Sequence, residues 1–331
     1  MELNVKQNML NKKRNLKPGE MIELCYDEAF KIMFANTEHL EILTVLLSRI
    51  LKIEYKDLEG KVSLLPLKNS NKTIGEKKQE KDVLVSIKTR DKYKLVLEIN
   101  VKKKFYESVT DRNLYYSFEV AGRSLPEGES YSNLGITLLI NFNTYFTDLE
   151  NKKVFDEYLL RNEEGNILSK KFKVFNINIA ECHNLWYHNE YQGKFELYEE
   201  DLMLLCAAMK VSKQEDFKKI IDLVRIKPEI KELMEGVVST MNENEELVGS
   251  YLDWKEENEK INQAIIEEEK AESFKEGIKQ GIEQGNANKQ KEIVLNMYNK
   301  NFKLEDILSI TNLTLEEVET IINTFNNDTN K

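Results

Sequence analysis

Long hydrophobic runs are missing from this sequence. No stretch of its 331 residues approaches the roughly 18 uninterrupted apolar residues that a membrane span needs, so no membrane is expected among its partners. Paired cysteines are missing too. Cys25, Cys182 and Cys206 are odd in number and widely spaced, which argues against a disulfide framework. Cys182, His183 and His188 lie close together, but structural zinc sites bring paired ligands such as Cys-x2-Cys, and no such pair occurs. A partly buried Cys-His pair beside Trp186 is the expectation there. An export signal is also lacking: Lys12, Lys13, Arg14 and Lys17 have no apolar run behind them. Residues 1–20 therefore read as a flexible basic tail, and the cytoplasm is the expected compartment.

Positive charge is scarce overall. The net charge of -10 would disfavour a nucleic-acid partner if charge were spread evenly, but its distribution matters more than its total. Residues 81–124 hold ten lysines and arginines against six acids, a net of +4. Residues 241–300 hold eight against fourteen, a net of -6. The apolar fraction of 41% is that of an ordinary folded protein with a sizeable core.

Periodicity gives the order of elements. Tyr26 to Phe34 reads as a short helix with Phe30, Met33 and Phe34 on one face. Asn36 or Thr37 caps a second helix to about Leu51, with Leu40, Leu43, Leu47 and Ile50 at helical spacing. Val62 to Leu67 is a strand, and residues 68–81 are a polar loop. Val83, Val85 and Ile87 alternate, as do Leu95, Leu97, Ile99 and Val101; the polar Thr89–Lys92 turn between them predicts a hairpin. A helix capped by Asp111 and stopped by Gly122 follows. Gly135 to Phe142 reads as a strand covered on both faces. Val154–Leu160 and Lys171–Ile179 form a strand pair joined through Glu164-Gly165-Asn166, and from about Glu199 the chain reads as helical. This order describes an α/β fold with helices flanking a mixed sheet. The expected divisions are a core over residues 21–198, a helical extension over 199–288 and a small helical module over 289–331.

The hairpin is where chemistry is expected. With Val83, Val85, Leu97 and Ile99 on the core face, Asp82, Glu98, Asn100 and, were the strand to continue, Lys102 face the other way. A turn centred near Arg90 sets Asp82 opposite Glu98, and opposed residues have Cβ atoms about 5 Å apart. Two carboxylates that close repel unless a cation lies between them, and such oxygen ligands suit Mg²⁺. The same two acids could instead face solvent and pair with Lys88 or Lys94.

A family resemblance bears on that choice. Asp82-Val83-Leu84, the hairpin and Glu98-Ile99-Asn100 resemble the Asp and Glu-x-Lys/Gln elements of PD-(D/E)XK nucleases. More narrowly, Asp27-Glu28-Ala29-Phe30-Lys31 resembles the opening Asp-x-x-Phe-Lys segment of the Rpn-type recombination-promoting nucleases, also described as PD-(D/E)XK transposase-family proteins. Arg112 with Tyr115-Tyr116 is similar to their Arg-x-x-Tyr-Tyr helix, and the Glu276-Gly277 step is similar to their tail. The resemblance implies a PD-(D/E)XK restriction-endonuclease-like core and a metal-dependent DNA endonuclease of low sequence specificity, acting in recombination, mobile-element or defence biology. It implies Mg²⁺ or Mn²⁺ held by Asp82, Glu98 and the Ile99 carbonyl, with Asp27 as the first-helix acid. Arg112 and Tyr116, one helical turn apart, would contact DNA phosphates; an Arg-aromatic face packed over the sheet is the alternative. The third position departs from the pattern. Asn100 stands where the group has Lys or Gln, and Lys102 on the same face is the candidate to replace the missing cation. A catalytically degenerate fold kept for DNA binding or assembly is the alternative function.

Gly277, Gly281 and Gly285 recur every four residues in the acidic tail. Each costs a soluble helix about 1 kcal/mol relative to Ala, which points either to close helix packing or to a flexible connector, with the connector expected. Leu304–Thr311 and Thr314–Thr324 resemble a helix-turn-helix, with Thr314 and Glu317 as a capping box. Its second helix offers Glu316, Glu317 and Glu319 and no cation, so it is expected to pack or to support a homodimer rather than to read DNA.

Overall fold

The structure, a computed structural model, describes residues 15–66, 83–89, 93–100, 107–123, 125, 127–144 and 153–329; among these, the side chains of residues 94, 96–100, 107–108, 265, 268–269, 272 and 326–329 are not described. Asp82, Arg90, Lys102 and the tail and loop at 1–14 and 67–82 lie outside the described residues.

Helix α1 (Asp27–Phe34) buries Ala29, Phe30, Met33 and Phe34, with Asp27 and Glu28 in its first turn and Lys31 in its last, each charge set favourably against the helix dipole. Asn36 caps a 3-10 turn, accepting from the Glu38 amide, and α2 follows directly (Leu40–Leu51). A short α3 (Tyr55–Leu58) leads into β1 (Val62–Leu64), shorter than expected. The hairpin is β2 (Val83–Ile87) and β3 (Tyr93–Asn100). Helix α4 spans Glu107–Gly122, so Asp111 lies inside the helix and is not its cap. Glu107 and Ser108 suit a first turn as well as Asp111 does, and composition alone does not choose between them. Then come β4 (Ile136–Asn143), β5 (Phe155–Arg161) and β6 (Ile167–Asn178), with Gly165 at φ +86 in the turn between the last two.

These strands form one six-stranded sheet of order β1-β2-β3-β4-β6-β5. The β1–β2, β2–β3 and β5–β6 pairs are antiparallel, whereas β3–β4 and β4–β6 are parallel. Helix α4 is the crossover that parallel neighbours require. Period-two alternation then sorts the side chains. Val83, Val85, Ile87, Leu95, Leu138, Ile140, Phe142 and Ile177 join one large core. On the opposite face, Leu84, Leu139 and Val174 pack with Leu114 and Val120 of α4, and Phe118 stacks on Phe172 at 4.5 Å.

The helices after the sheet belong to the same large core. These are α5 (Ile179–Tyr187), α6 (Leu197–Ala208), α7 (Gln214–Leu223) and α8 (Pro228–Glu243). Asp201 to Ala208 are all buried in α6, as in a helix enclosed on every side. The chain divides into one compact unit up to Lys255 and a second over Glu256–Lys331. Helix α9 (Glu245–Asn299) is continuous through the three-glycine segment, so the expectation of a flexible connector is corrected. Strong helix formers (Glu, Lys, Gln and Ala) surround the glycines and outweigh their cost. A Cβ at Gly277, Gly281 or Gly285 would meet nothing within 4 Å, so none of them marks a close approach within the chain. In the second unit, α10 (Leu304–Thr311) and α11 (Leu315–Thr329) bury Ile307 and Val318 against Val294 of α9. The capping box is present: the Glu317 carboxylate accepts from the Thr314 amide at 2.8 Å, and the Thr314 hydroxyl accepts from the Glu317 amide at 3.4 Å.

One buried ionic knot ties the first unit. Arg49 of α2 donates through Nε to Asp201 of α6 at 2.9 Å, through one terminal nitrogen to Ser48 Oγ at 2.9 Å, and through the other to the Arg225 carbonyl at 2.6 Å. Arg225 returns to the other Asp201 oxygen at 3.1 Å. Removing one member of such a set strands a buried charge. Asp201→Ala is therefore expected to cost about 3–5 kcal/mol of unfolding free energy, read from urea denaturation; a loss within 0.5 kcal/mol, roughly what a surface substitution costs, would show that the knot is not needed.

Candidate active site

The face of the sheet under α4 changes character along the strands. On β4 the outward residues run Thr137, Leu139, Asn141, Asn143. Their partners on β6 run Phe172, Val174, Asn176 and Asn178. Apolar packing thus gives way to amides at the carboxyl ends of the parallel strands, the end where open α/β sheets place ligands.

Glu98 and Asn100 fall in this polar end. The parallel register sets Glu98 beside Asn141 and Asn100 beside Asn143. Across the antiparallel side, Val83 pairs with Leu97, the step before the position at which the sequence sets Asp82 against Glu98; Asp82 itself lies outside the described residues, as does Lys102. Glu98, Ile99 and Asn100 are placed by backbone and register.

Helix α4 closes over the row. The Asn113 side-chain amide donates to Asn141 Oδ1 at 2.9 Å, and the Asn141 amide donates to Asn176 Oδ1 at 2.8 Å. Both Asn113 and Asn141 are buried. Arg112, exposed on α4, donates through Nε to Asn113 Oδ1 at 3.0 Å. Tyr116 is 6% exposed and Tyr115 is 57% exposed. The Tyr116 ring therefore packs, and Tyr115 is the tyrosine of this helix that meets solvent. Sequence reasoning missed Asn113, Asn141 and Asn176. The Asn141-Phe142-Asn143 alternation was the available signal, hidden by reading residues 135–142 as covered on both faces.

Asp27 sits at the start of α1, one turn before Phe30, whose ring packs 5.4 Å from Phe142 on the core face of β4. Its Oδ2 takes the Lys31 ammonium at 2.8 Å, while its Oδ1 is enclosed with no hydrogen-bond partner. An enclosed carboxylate oxygen without a donor is costly and suits a cation, so Asp27 fits a divalent metal by its chemistry. Among the described residues no three His, Cys, Asp or Glu side chains form a ready metal cluster. Near Cys182 the structure has a buried thiol followed by the half-buried His183 beside Trp186. Burial and the neighbouring Cys206 thiol push the Cys182 thiol well up, and the half-buried His183 ring lies 6.1 Å from that of Tyr187 and 5.9 Å from Trp186.

A mixed sheet with a helical crossover between its parallel strands, flanked by helices, fits a PD-(D/E)XK-like α/β fold. The chain belongs to the PD-(D/E)XK nuclease family transposases, whose family model it matches over residues 24–269. No curated protein and no solved structure matches it. No helix among the described residues is long and apolar enough to cross a membrane.

The burial difference within α4 has a measurable consequence. Tyr116→Ala should cost about 3 kcal/mol or more of stability, as for other buried aromatics, and Tyr115→Ala less than about 0.5 kcal/mol. Thermal denaturation of the two variants compares them directly; equal losses would contradict the placement.

Proposed function

We propose that the protein is a metal-dependent DNA endonuclease that hydrolyses phosphodiester bonds with low sequence specificity, in recombination, mobile-element or defence biology. The observation that supports this most is the register placing Glu98 and Asn100 in a polar row at the carboxyl ends of parallel strands, within a chain of nuclease-family membership. Asp82, Glu98 and the Ile99 carbonyl hold Mg²⁺ or Mn²⁺, with Asp27 as a further acid from α1. When bound, such an ion lowers the pKa of a water and neutralises charge on the phosphate under attack. Asn100 orients that water or touches the phosphate through its amide. Lys102 and the exposed Arg112 supply positive charge to the DNA backbone, and Tyr116 braces the helix that carries Arg112. The net of +4 over residues 81–124 favours a polyanion at this end. The compartment assigned to this activity is the cytoplasm.

Plasmid cleavage with Mg²⁺ or Mn²⁺ tests the reading. Asp82→Ala and Glu98→Ala should each lower the rate about a hundredfold or more; activity indifferent to both would mean that the site is misplaced. Asn100→Gln should preserve turnover, since it restores the residue type of the resembled group. Asn100→Ala should lower turnover with metal affinity retained, and a large loss of affinity in calorimetry would make Asn100 a ligand.

Asn100 is also the observation that favours a second reading, a degenerate nuclease fold that binds DNA without cutting it. That reading expects weak metal binding and salt-sensitive DNA binding that survives Asp82→Ala.

Cutting both strands of a duplex generally requires two active sites, which makes a homodimer the proposed assembly, held partly by residues 290–331. Ile310 and Leu315 remain exposed on the second unit's helices after Ile307 and Val318 are buried. Truncation before Lys289 should give a folded monomer that nicks DNA but makes few double-strand breaks. Light scattering decides it: a full-length chain that stays monomeric at high concentration rules the dimer out.

A further inference from the structure

A donor-to-acceptor line runs from α4 into the sheet. Arg112 Nε donates to Asn113, Asn113 donates to Asn141, and Asn141 donates to Asn176, over 3.0, 2.9 and 2.8 Å. Asn141 occupies the strand position beside Glu98. The line therefore couples the only exposed member, a guanidinium, to the row that carries the hairpin acid.

Packing does not require this line. The same helix face is held on the sheet by Leu114, Val120 and the Phe118–Phe172 stack. Asn113 and Asn141 are buried amides where apolar residues would seal the interface at lower desolvation cost. A side chain of Arg112's length also loses considerable rotamer freedom when held in one geometry. The geometry gives that restraint a use: it fixes the plane of a guanidinium, whose donors recognise phosphate only when correctly oriented.

We infer that Asn113 and Asn141 are positioning residues that hold the Arg112 guanidinium toward the scissile region of a nucleic-acid backbone, so that Arg112 supplies the cation that Asn100 does not. This rests on the nuclease reading above. Asn113 fixes Arg112 by accepting from Nε, and Asn141, held in turn by Asn176, fixes Asn113. The contact concerns a phosphate diester and is independent of base sequence.

Arg112→Lys gives the cleanest test. It is an exposed substitution that keeps the charge but has no Nε–H to donate to Asn113. If position matters, Arg112→Lys falls with Arg112→Ala: both lower kcat/KM for duplex cleavage about ten- to a hundredfold, and both reduce the salt slope of DNA binding by about 1. Asn113→Leu and Asn141→Leu, checked by circular dichroism for folding, should reproduce part of the loss. Neither should add to it in the Arg112→Ala background, since residues acting through one another are not additive. The inference is overturned if Arg112→Lys matches the wild type while Arg112→Ala does not, because charge alone then suffices. It is equally overturned if the amide losses add to that of Arg112→Ala. Should Arg112→Ala leave both cleavage and salt slope unchanged while Glu98→Ala abolishes cleavage, Arg112 has no role and this inference fails alone. A wild-type chain that neither binds nor cuts DNA removes the nuclease reading together with it.

Discussion

The parallel pairing of β3 with β4 is the constraint on which the site depends. In a parallel ladder, paired residues point to the same face, so the register that sets Leu97 beside Ile140 also sets Glu98 beside Asn141 and Asn100 beside Asn143. A slip of one residue would carry Asn141 and Asn143 into the large core and Ile140 and Phe142 out of it. Burial of Ile140 and Phe142 thus fixes the placement of the polar row as firmly as it fixes the core. Helix α4 is a consequence of the same pairing, since two parallel strands need a crossover between them. Its span brings Asn113 over Asn141 and Phe118 over Phe172.

The helices beyond β6 support that arrangement from the other side. Residues of α1, α2, α5, α6 and α8 fill the core beneath Val83, Leu95 and Phe142, and Arg49, Asp201 and Arg225 lock α2 to α6 and to the segment before α8. Buried ion pairs contribute little net stability compared with apolar substitutes. Their bonds are directional, and each Asp201 oxygen has a specified partner. A second polar group, in which the Glu23 carboxylate takes the Tyr251 hydroxyl at 3.3 Å and lies 3.6 Å from Lys210, joins the chain near α1 to the start of α9. Burial and the nearby Glu23 push the Cys25 thiol beside this group up to about 12, which keeps it a neutral packing residue at ordinary pH.

Much of the fold was legible because its periodicities are clean. The alternation of Val83, Val85 and Ile87 against Leu95 gave the hairpin, and the Thr314–Glu317 pair gave a cap that the structure contains. What escaped the sequence depends on distance. Asp201 lies 152 residues from Arg49, and nothing local names that partner, although the unbroken apolar run Leu202–Met209 was the available signal that α6 is enclosed on every side. The glycines at 277, 281 and 285 misled for the opposite reason: a real local penalty is overridden by a long run of favourable neighbours. At the site, Glu98 and Asn100 could be named from their strand, whereas Asn113, Asn141 and Asn176 come together only through the crossover and the β4–β6 register. The fate of Tyr115 and Tyr116 needed the helix in place, since adjacent helical residues point in directions about 100° apart and either could have faced inward.

The neutrality of the amide row has its own physical logic. A lysine or carboxylate at Asn113 or Asn141 would have to be desolvated beneath α4, at a cost of several kcal/mol per ion unless it were paired. An amide meets the same need for a donor and an acceptor without a net charge, and it can link neighbours in series. Neutral amides at Asn141 and Asn143 also add no net charge of their own beside the hairpin acid. Charge is placed instead on Arg112, at the solvent end of the line, where hydration costs little and a polyanion can reach it. Buried neutral groups fixing the orientation of an exposed charge give the carboxyl end of the parallel strands both a stable interior and a directed electrostatic surface.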